Sequence, residues 1–357
     1  MKILFIVADI TYTGGIERVI CSLSRALTKK NIDVDILSIY KSHENTAFDF
    51  SENTKIIYLS KDNYSGKPLS LTRFKDLIKK ILYLRAFLKK NRKYKYIIAN
   101  SFPISFMLLF CYTTANKIAY EHTHYHYYPK LIRGLRTLVY SFFKKIIVLT
   151  EKDKKFFSKR NNNVIKICNP LSNIIDRKAK LQNNIGIAAG RLEYEKGFDL
   201  LLDSISILNV KYPDNNWIFN IYGDGTEKDN LIRKAKELEL KNVFFKGKTN
   251  CLHEELLNSS MLLSTSRCEG FGMTIVEAMS LGLPCVSFDS PNGPSEIITN
   301  KKDGFIIDNG DVFMFSEVIY KLIENRDELF RLGKSAISVR EKYSINKIIN
   351  DWLDVIR

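Results

Sequence analysis

Two glutamates, Glu269 and Glu277, bracket a glycine turn in the run Glu269-Gly-Phe-Gly-Met-Thr-Ile-Val-Glu277. An apolar strand at 261–264 precedes the run, Gly270 and Gly272 permit a tight turn with exposed amides, and helical periodicity resumes near Thr274. A helix amino terminus at this point offers unsatisfied N–H groups to a diphosphate. The carboxylates on either side accept hydrogen bonds from hydroxyls. An ordinary capped helix with solvated glutamates fits the same spacing, and spacing alone leaves both readings open. Upstream, Arg191 and Lys196 follow a short strand. A pair of cations there can neutralise an anionic ligand such as a diphosphate. The bland alternative, solvated surface cations, sits poorly at a helix start, where the dipole disfavours positive charge.

Near the amino terminus, Thr13-Gly14-Gly15 stands between a strand and a helix. These glycines meet the needs of a strand-to-helix turn and also admit a close approach to phosphate. Three histidines crowd into Glu121-His122-Thr123-His124-Tyr125-His126. They converge on one metal only if the strand before them continues, and no cysteine is paired with them, so no metal is expected there. Asp33-Val34-Asp35 falls inside a predicted strand and is an implausible metal site. The cysteines Cys21, Cys111, Cys168, Cys251, Cys268 and Cys285 lie far apart without ligand spacing and read as reduced thiols.

The elements that must hold these residues come in two series. A buried-type strand at 2–8, the glycine turn, a helix at 16–29 and a strand at 32–39 form the first. Alternation restarts with a strand at 184–189, Gly190-Arg191, a helix at 197–211 and a strand at 217–222 that ends in Gly223-Asp224-Gly225. Two doubly wound Rossmann-like α/β domains follow, 1–170 and 184–335, with a polar linker at 171–183. Two such domains facing one another would leave a ligand cleft at the carboxyl ends of their strands. The stretch 336–357 is helical in pattern and is expected to cross back onto the first domain.

Net charge is +16, unevenly spread. Up to Ile175 there are 31 Lys and Arg against 12 Asp and Glu, an excess of 19 positive charges; the rest has 24 against 27, a net of −3. The first half is therefore suited to anions. No nucleic-acid motif accompanies the charge, so no nucleic-acid partner is expected. A dinucleotide oxidoreductase is disfavoured because G-x-G-x-x-G is absent. The amino terminus lacks the features of a secretory signal, and the apolar stretch 104–112 is too short to span a bilayer, so a cytoplasmic location is expected. Segments 71–95 and 128–145 combine apolar residues at near-helical spacing with many Lys and Arg, among them Lys80 and Arg136. They suggest peripheral contact with an anionic inner-membrane surface.

The run Glu269 to Glu277 resembles the E-x7-E signature of the retaining, GT-B-fold glycosyltransferases of family 4, of polysaccharide-assembly type. Further motifs of that family appear in order. They are Thr13-Gly14-Gly15-Ile16-Glu17-Arg18, Val148-Leu149-Thr150, Asn169-Pro170, Gly190-Arg191-Leu192, Glu195-Lys196-Gly197 and Gly223-Asp224-Gly225. The resemblance implies transfer of a sugar from a nucleotide diphosphate-sugar, by default a uridine one, to a saccharide or lipid-linked saccharide. It further implies a carboxyl-terminal domain that binds the donor, an amino-terminal domain that presents the acceptor, and neither metal nor cofactor. By the same resemblance Glu277 holds ribose hydroxyls, Glu269 contacts the donor sugar, and amides of Phe271, Gly272, Met273 and Thr274 meet sugar and phosphates. Arg191 and Lys196 face the diphosphate, Gly14 and Gly15 line the cleft, and His122 lies near the reacting end of the sugar. A nucleotide-sugar epimerase of the same fold is the alternative, separable by whether donor consumption needs an acceptor. The loop Phe288-Asp289-Ser290-Pro291-Asn292-Gly293-Pro294-Ser295-Glu296 also resembles one found in polysaccharide-assembly members. Simple turn chemistry accounts for it equally, so its role stays open.

Overall fold

The structure is a computed structural model that describes residues 1–62, 71–172 and 175–357. The chain divides into two compact units, Met1–Ser172 with Ile345–Arg357, and Asn173–Ser344.

The first unit is built on a parallel sheet of β1 (Lys2–Asp9), β2 (Asp33–Tyr40), β3 (Lys55–Tyr58), β4 (Tyr96–Ala99), β5 (Asn116–Tyr120), β6 (Lys145–Val148) and β7 (Val164–Lys166). Its order is β3-β2-β1-β4-β5-β6-β7. Central β1 is covered on both faces and reads as an almost unbroken apolar run, with Phe5 registered against Ile36 and Ile98. Asp35, buried in β2, accepts from Tyr94 Oη at 2.7 Å and pairs with Lys2 at 2.9 Å. Its carboxylate is thereby committed to the amino-terminal end of the sheet.

The helix Ile345–Ile356 completes this unit. It packs on the helix Gly15–Lys29. Its fully buried Trp352 meets Phe5 at 6.1 Å and Tyr120 at 5.0 Å between ring centroids. The division falls at Ser344, so 336–344, expected to travel with this segment, belong to the second unit.

The second unit carries β8 (Ile185–Ala189), β9 (Ile218–Tyr222), β10 (Val243–Gly247), β11 (Met261–Ser264), β12 (Cys285–Phe288) and β13 (Gly304–Ile307). These form a parallel sheet in the order β10-β9-β8-β11-β12-β13. Part of the expected linker, 173–174, lies outside the described residues, but 175–183 is no loose tether. Arg340 donates to the carbonyls of Ile175 and Arg177, Arg326 donates to that of Leu181, and Ala179 N–H bonds Leu281 O. Guanidinium groups reaching back from the sequence satisfy this extended backbone and hold it on the second unit.

In both sheets the strand order reverses next to the first strand of the series, between β1 and β4 and between β8 and β11. The carboxyl ends of such neighbours diverge and leave a crevice where open α/β sheets bind ligands.

Candidate active site

In the second unit that crevice is lined by Ala189, Lys196, Ser266, Glu269, Gly272 and Thr274, among others. The loop after β8 and the loop after β11 are locked together. Gly197, at φ +62°, comes so close to the second loop that an added Cβ would sit 2.1 Å from Thr265 O. Thr265 Oγ1 donates to Gly197 O at 2.8 Å. Arg267 grips Asp199 through two bonds of 2.7 and 2.6 Å, donates to Tyr194 O at 2.8 Å and stacks 4.0 Å above the Tyr194 ring. A planar guanidinium in a fork of this kind fixes both distance and angle. The result is Lys196 Nζ placed 2.6 Å from Glu269 Oε1, which also accepts from Ser266 Oγ at 2.7 Å.

The helix Met273–Ser280 starts directly after the glycine turn. Among the described residues, the amides of Phe271, Gly272, Met273 and Thr274 have no backbone partner, as the first turn of a helix requires. Together with Lys196 they make a donor-rich lip suited to an anion. The Phe271 ring itself is buried against Tyr343, so only its backbone is available to a ligand. The loop after β12 supports the turn from behind. Gly293, at φ +104°, would place a Cβ 2.0 Å from Phe271 O, and only glycine fits there.

Arg191 and Glu277 are not among the residues that line this crevice. Arg191 is exposed, with no side-chain hydrogen bond or ion pair among the described residues. Glu277 lies further along the helix and is only 4% exposed.

In the first unit, Gly14 and Gly15 follow β1 as expected, but the space beside Gly14 is taken. A Cβ on Gly14 would lie 2.1 Å from Oε2 of Glu17, whose side chain folds back over the start of its own helix. Burial, together with nearby Asp9, pushes the Glu17 carboxyl up to about 7. Glu17 was visible in the sequence only as part of a motif; nothing in the spacing signalled that it fills the glycine gap.

His122 follows β5. Its ring lies 4.0 Å from that of Tyr120, and its Nε2 is 3.4 Å from Asn100 Oδ1. Burial drives its pKa well below the usual histidine value, so the imidazole is neutral at physiological pH. Asn100 is held by Ile6 O at 2.9 Å, and Tyr120 Oη donates to Asn169 Oδ1 at 2.7 Å. Asn169 thus acts on the histidine through the tyrosine beneath it.

The other histidines diverge, because the strand stops at Tyr120 and a single tight turn occupies Tyr125–Tyr127. His124 is buried with Nδ1 unpaired, while His126 Nδ1 lies 2.7 Å from Arg133. Among the described residues no group of three metal-ligating side chains forms. Between them runs a buried polar knot. Glu121 binds Arg136 at 3.2 Å, Tyr140 Oη at 2.6 Å and Thr123 Oγ1 at 2.7 Å, while Asp153 takes the amide of Tyr125 at 2.7 Å.

Two models of known families divide the sequence between them. "Glycosyltransferase Family 4" matches residues 13–169 and "Glycosyl transferases group 1" matches 173–339. A glycosyltransferase of Haemophilus influenzae is 30% identical over 99% of both chains.

The chain belongs to the family 4, group 1 glycosyltransferases.

The amylovoran biosynthesis glycosyltransferase AmsD of Erwinia amylovora is 27% identical, again over 99% of each chain. The fold is GT-B. Staphylococcus aureus TarM, solved with UDP and a GlcNAc-glycerol, superposes with a TM-score of 0.83 at 19% identity, covering 100% of this chain and 99% of the other. HepE of Anabaena, solved with UDP and glucose, gives 0.78 at 17% identity over 100% and 99%.

Proposed function

We propose that this glycosyltransferase retains anomeric configuration and moves a sugar from a UDP-sugar to a saccharide or lipid-linked saccharide during assembly of a cell-surface glycan. The observation that carries the reading is the Lys196–Glu269 pair at the lip of open amides beside β8 and β11. Such a lip recognises a diphosphate, and the adjacent carboxylate recognises sugar hydroxyls. The UDP bound to TarM and HepE, and the amylovoran biosynthesis named for AmsD, support the donor and pathway class. Transferases among the relatives favour transfer over epimerisation.

In this mechanism the bond from the anomeric carbon to the phosphate oxygen breaks while the acceptor oxygen bonds to the same face. The acceptor proton passes to the leaving phosphate. Lys196, Arg191 and the amides of residues 271–274 take up the growing negative charge without a metal. Glu269 orients Lys196 and then shares its remaining lone pairs with the donor sugar, while Glu277 holds the ribose. Gly14 and Gly15 offer backbone amides to the donor, and the neutral His122 donates to a sugar hydroxyl.

The test has two steps. Thermal protection by a panel of nucleotides and nucleotide sugars identifies the base and sugar, and NMR of the product reads its anomeric configuration. UDP should protect and the product should keep the donor's configuration. Protection by no uridine nucleotide, or an inverted product, overturns the reading.

A further inference from the structure

The helix Lys130–Tyr140 faces the wrong way for an ordinary amphipathic helix. Its inward side carries Arg136, Thr137, Val139 and Tyr140. Its outward side presents Leu131, Leu135 and Leu138, and Phe142 continues the row just beyond its end; Leu131 is 87% exposed and Phe142 61%. At 3.6 residues per turn the three leucines fall within an arc of about 60°. The orientation is fixed from inside. Arg136 is fully buried against Glu121, its guanidinium about 5 Å from the rings of Tyr128 and Phe157. Rolling the helix to hide its leucines would strip that guanidinium of its carboxylate, leaving buried charge unpaired.

Lys130 and Lys144, just before and just after the row in sequence, are exposed, the Lys144 ammonium lying 5.8 Å from the Tyr96 ring centroid, and no acidic residue occurs from 129 to 150. The helix Phe102–Leu109 packs against both this helix and Leu71–Lys90. On the latter, Phe74, Ile78 and Leu82 are also exposed, beside exposed Lys75, Arg85, Lys89 and Lys90.

The sequence-based expectation of basic, membrane-facing helices therefore needs correction in its particulars. Lys80 is buried and bound to Asp62 at 2.6 Å, Arg136 is committed to Glu121, and Tyr140 and Phe143 belong to the core. What faces outward is leucine and phenylalanine fringed by lysine.

From this geometry we infer that the row Leu131, Leu135, Leu138 and Phe142 seats in the headgroup–acyl boundary of an anionic lipid surface, with Lys130 and Lys144 on the phosphates. A second copy of the chain is a poorer occupant, because pairing this face with itself sets lysines against lysines. Lipid supplies what the face lacks, apolar depth under a negative rim. No helix among the described residues is long and apolar enough to cross a membrane, so this contact is interfacial. The inference deepens the acceptor side of the proposed function, since a lipid-linked acceptor presents itself at such a surface.

The full chain is co-sedimented with vesicles of phosphatidylcholine alone or mixed with phosphatidylglycerol, at low and high salt and without donor. Wild type should bind the anionic vesicles, less so as salt rises. The variant L131Q/L135Q/L138Q should lose affinity at least tenfold, and K130Q/K144Q should lose mainly the salt-sensitive part. Protection by UDP should be unchanged in both, which verifies folding. Wild-type-like sedimentation of the leucine variant overturns the inference, as does no vesicle binding by wild type. A wild-type dimer that the leucine variant dissolves, without vesicle binding, overturns it in favour of self-association. Because no reaction is needed, vesicle binding without transfer would sink the proposed reaction alone, and transfer without vesicle binding would sink the membrane contact alone.

Discussion

Two parallel sheets with the same reversal of strand order carry opposite chemistry at their crevices. The second unit places a cation, a carboxylate and open amides at its reversal: Lys196 on Glu269, with the start of Met273–Ser280 beside them. The first unit places neutral or reluctantly charged groups after its strands: His122, following β5, with its pKa driven down, and Glu17, in the helix after β1, with its pKa driven up. The same frame can thus carry strong electrostatics in one unit and desolvated hydrogen bonding in the other. Such a division suits a reaction in which charge builds on the leaving nucleotide while the acceptor stays neutral until late.

The comparison is most directly broken at Lys196. If it acts on charge formed in the transition state, Lys196→Ala should lower kcat by about 10²-fold or more with a smaller change in KM. Steady-state kinetics with a fixed acceptor check this, and a change confined to KM would place Lys196 in ground-state binding. Glu277→Gln, which keeps the side chain's shape at a buried position, should weaken UDP binding roughly tenfold by removing a charged acceptor. Calorimetric titration measures it, and unaltered affinity would detach Glu277 from the ribose. Arg267→Lys should lower kcat about tenfold while leaving UDP protection in place, because an ammonium cannot reproduce the two-pronged grip on Asp199 that sets the Lys196 loop.

The smallest effect probes the first unit. Glu17 binds its proton more tightly folded than unfolded, so its ionisation costs stability as pH rises from its ordinary value of 4.5 through about 7. Glu17→Gln should therefore melt a few degrees higher than wild type at pH 8, and the gain should vanish below pH 5. Paired thermal melts at the two pH values check it. Equal melting at pH 8 would mean that the carboxylate folded over Gly14 is not desolvated.

Much of the second unit's crevice was legible in the sequence because its signals are local. Glycines at 270 and 272, a strand just before them and Lys196 ahead of Gly197 are short-range features that the chain must honour wherever it folds. The legible features stopped where partners are distant. Arg136 and Lys80 read as surface cations because the sequence does not reveal Glu121 and Asp62 as their counter-charges, although Asp76, one turn before Lys80, also pairs with it at 3.5 Å. Helical periodicity in 130–142 marks an amphipathic helix without saying which face the sheet takes, and a buried arginine decided that against the leucines. Glu277 is spaced like an open carboxylate, yet the packing around its helix encloses it.

The placement of Ile345–Ile356 bears on the order in which the protein is made. Trp352 fills the gap between Phe5 and Tyr120, so the sheet built on β1 lacks part of its core until the helix Ile345–Ile356 has left the ribosome. Domains emerging from synthesis tend to fold amino-terminal first. Here the second unit has all its strands before the first can be closed. Throughout that interval the nascent first unit carries an unfilled aromatic socket, and chaperone contact during translation would fall on this half of the molecule.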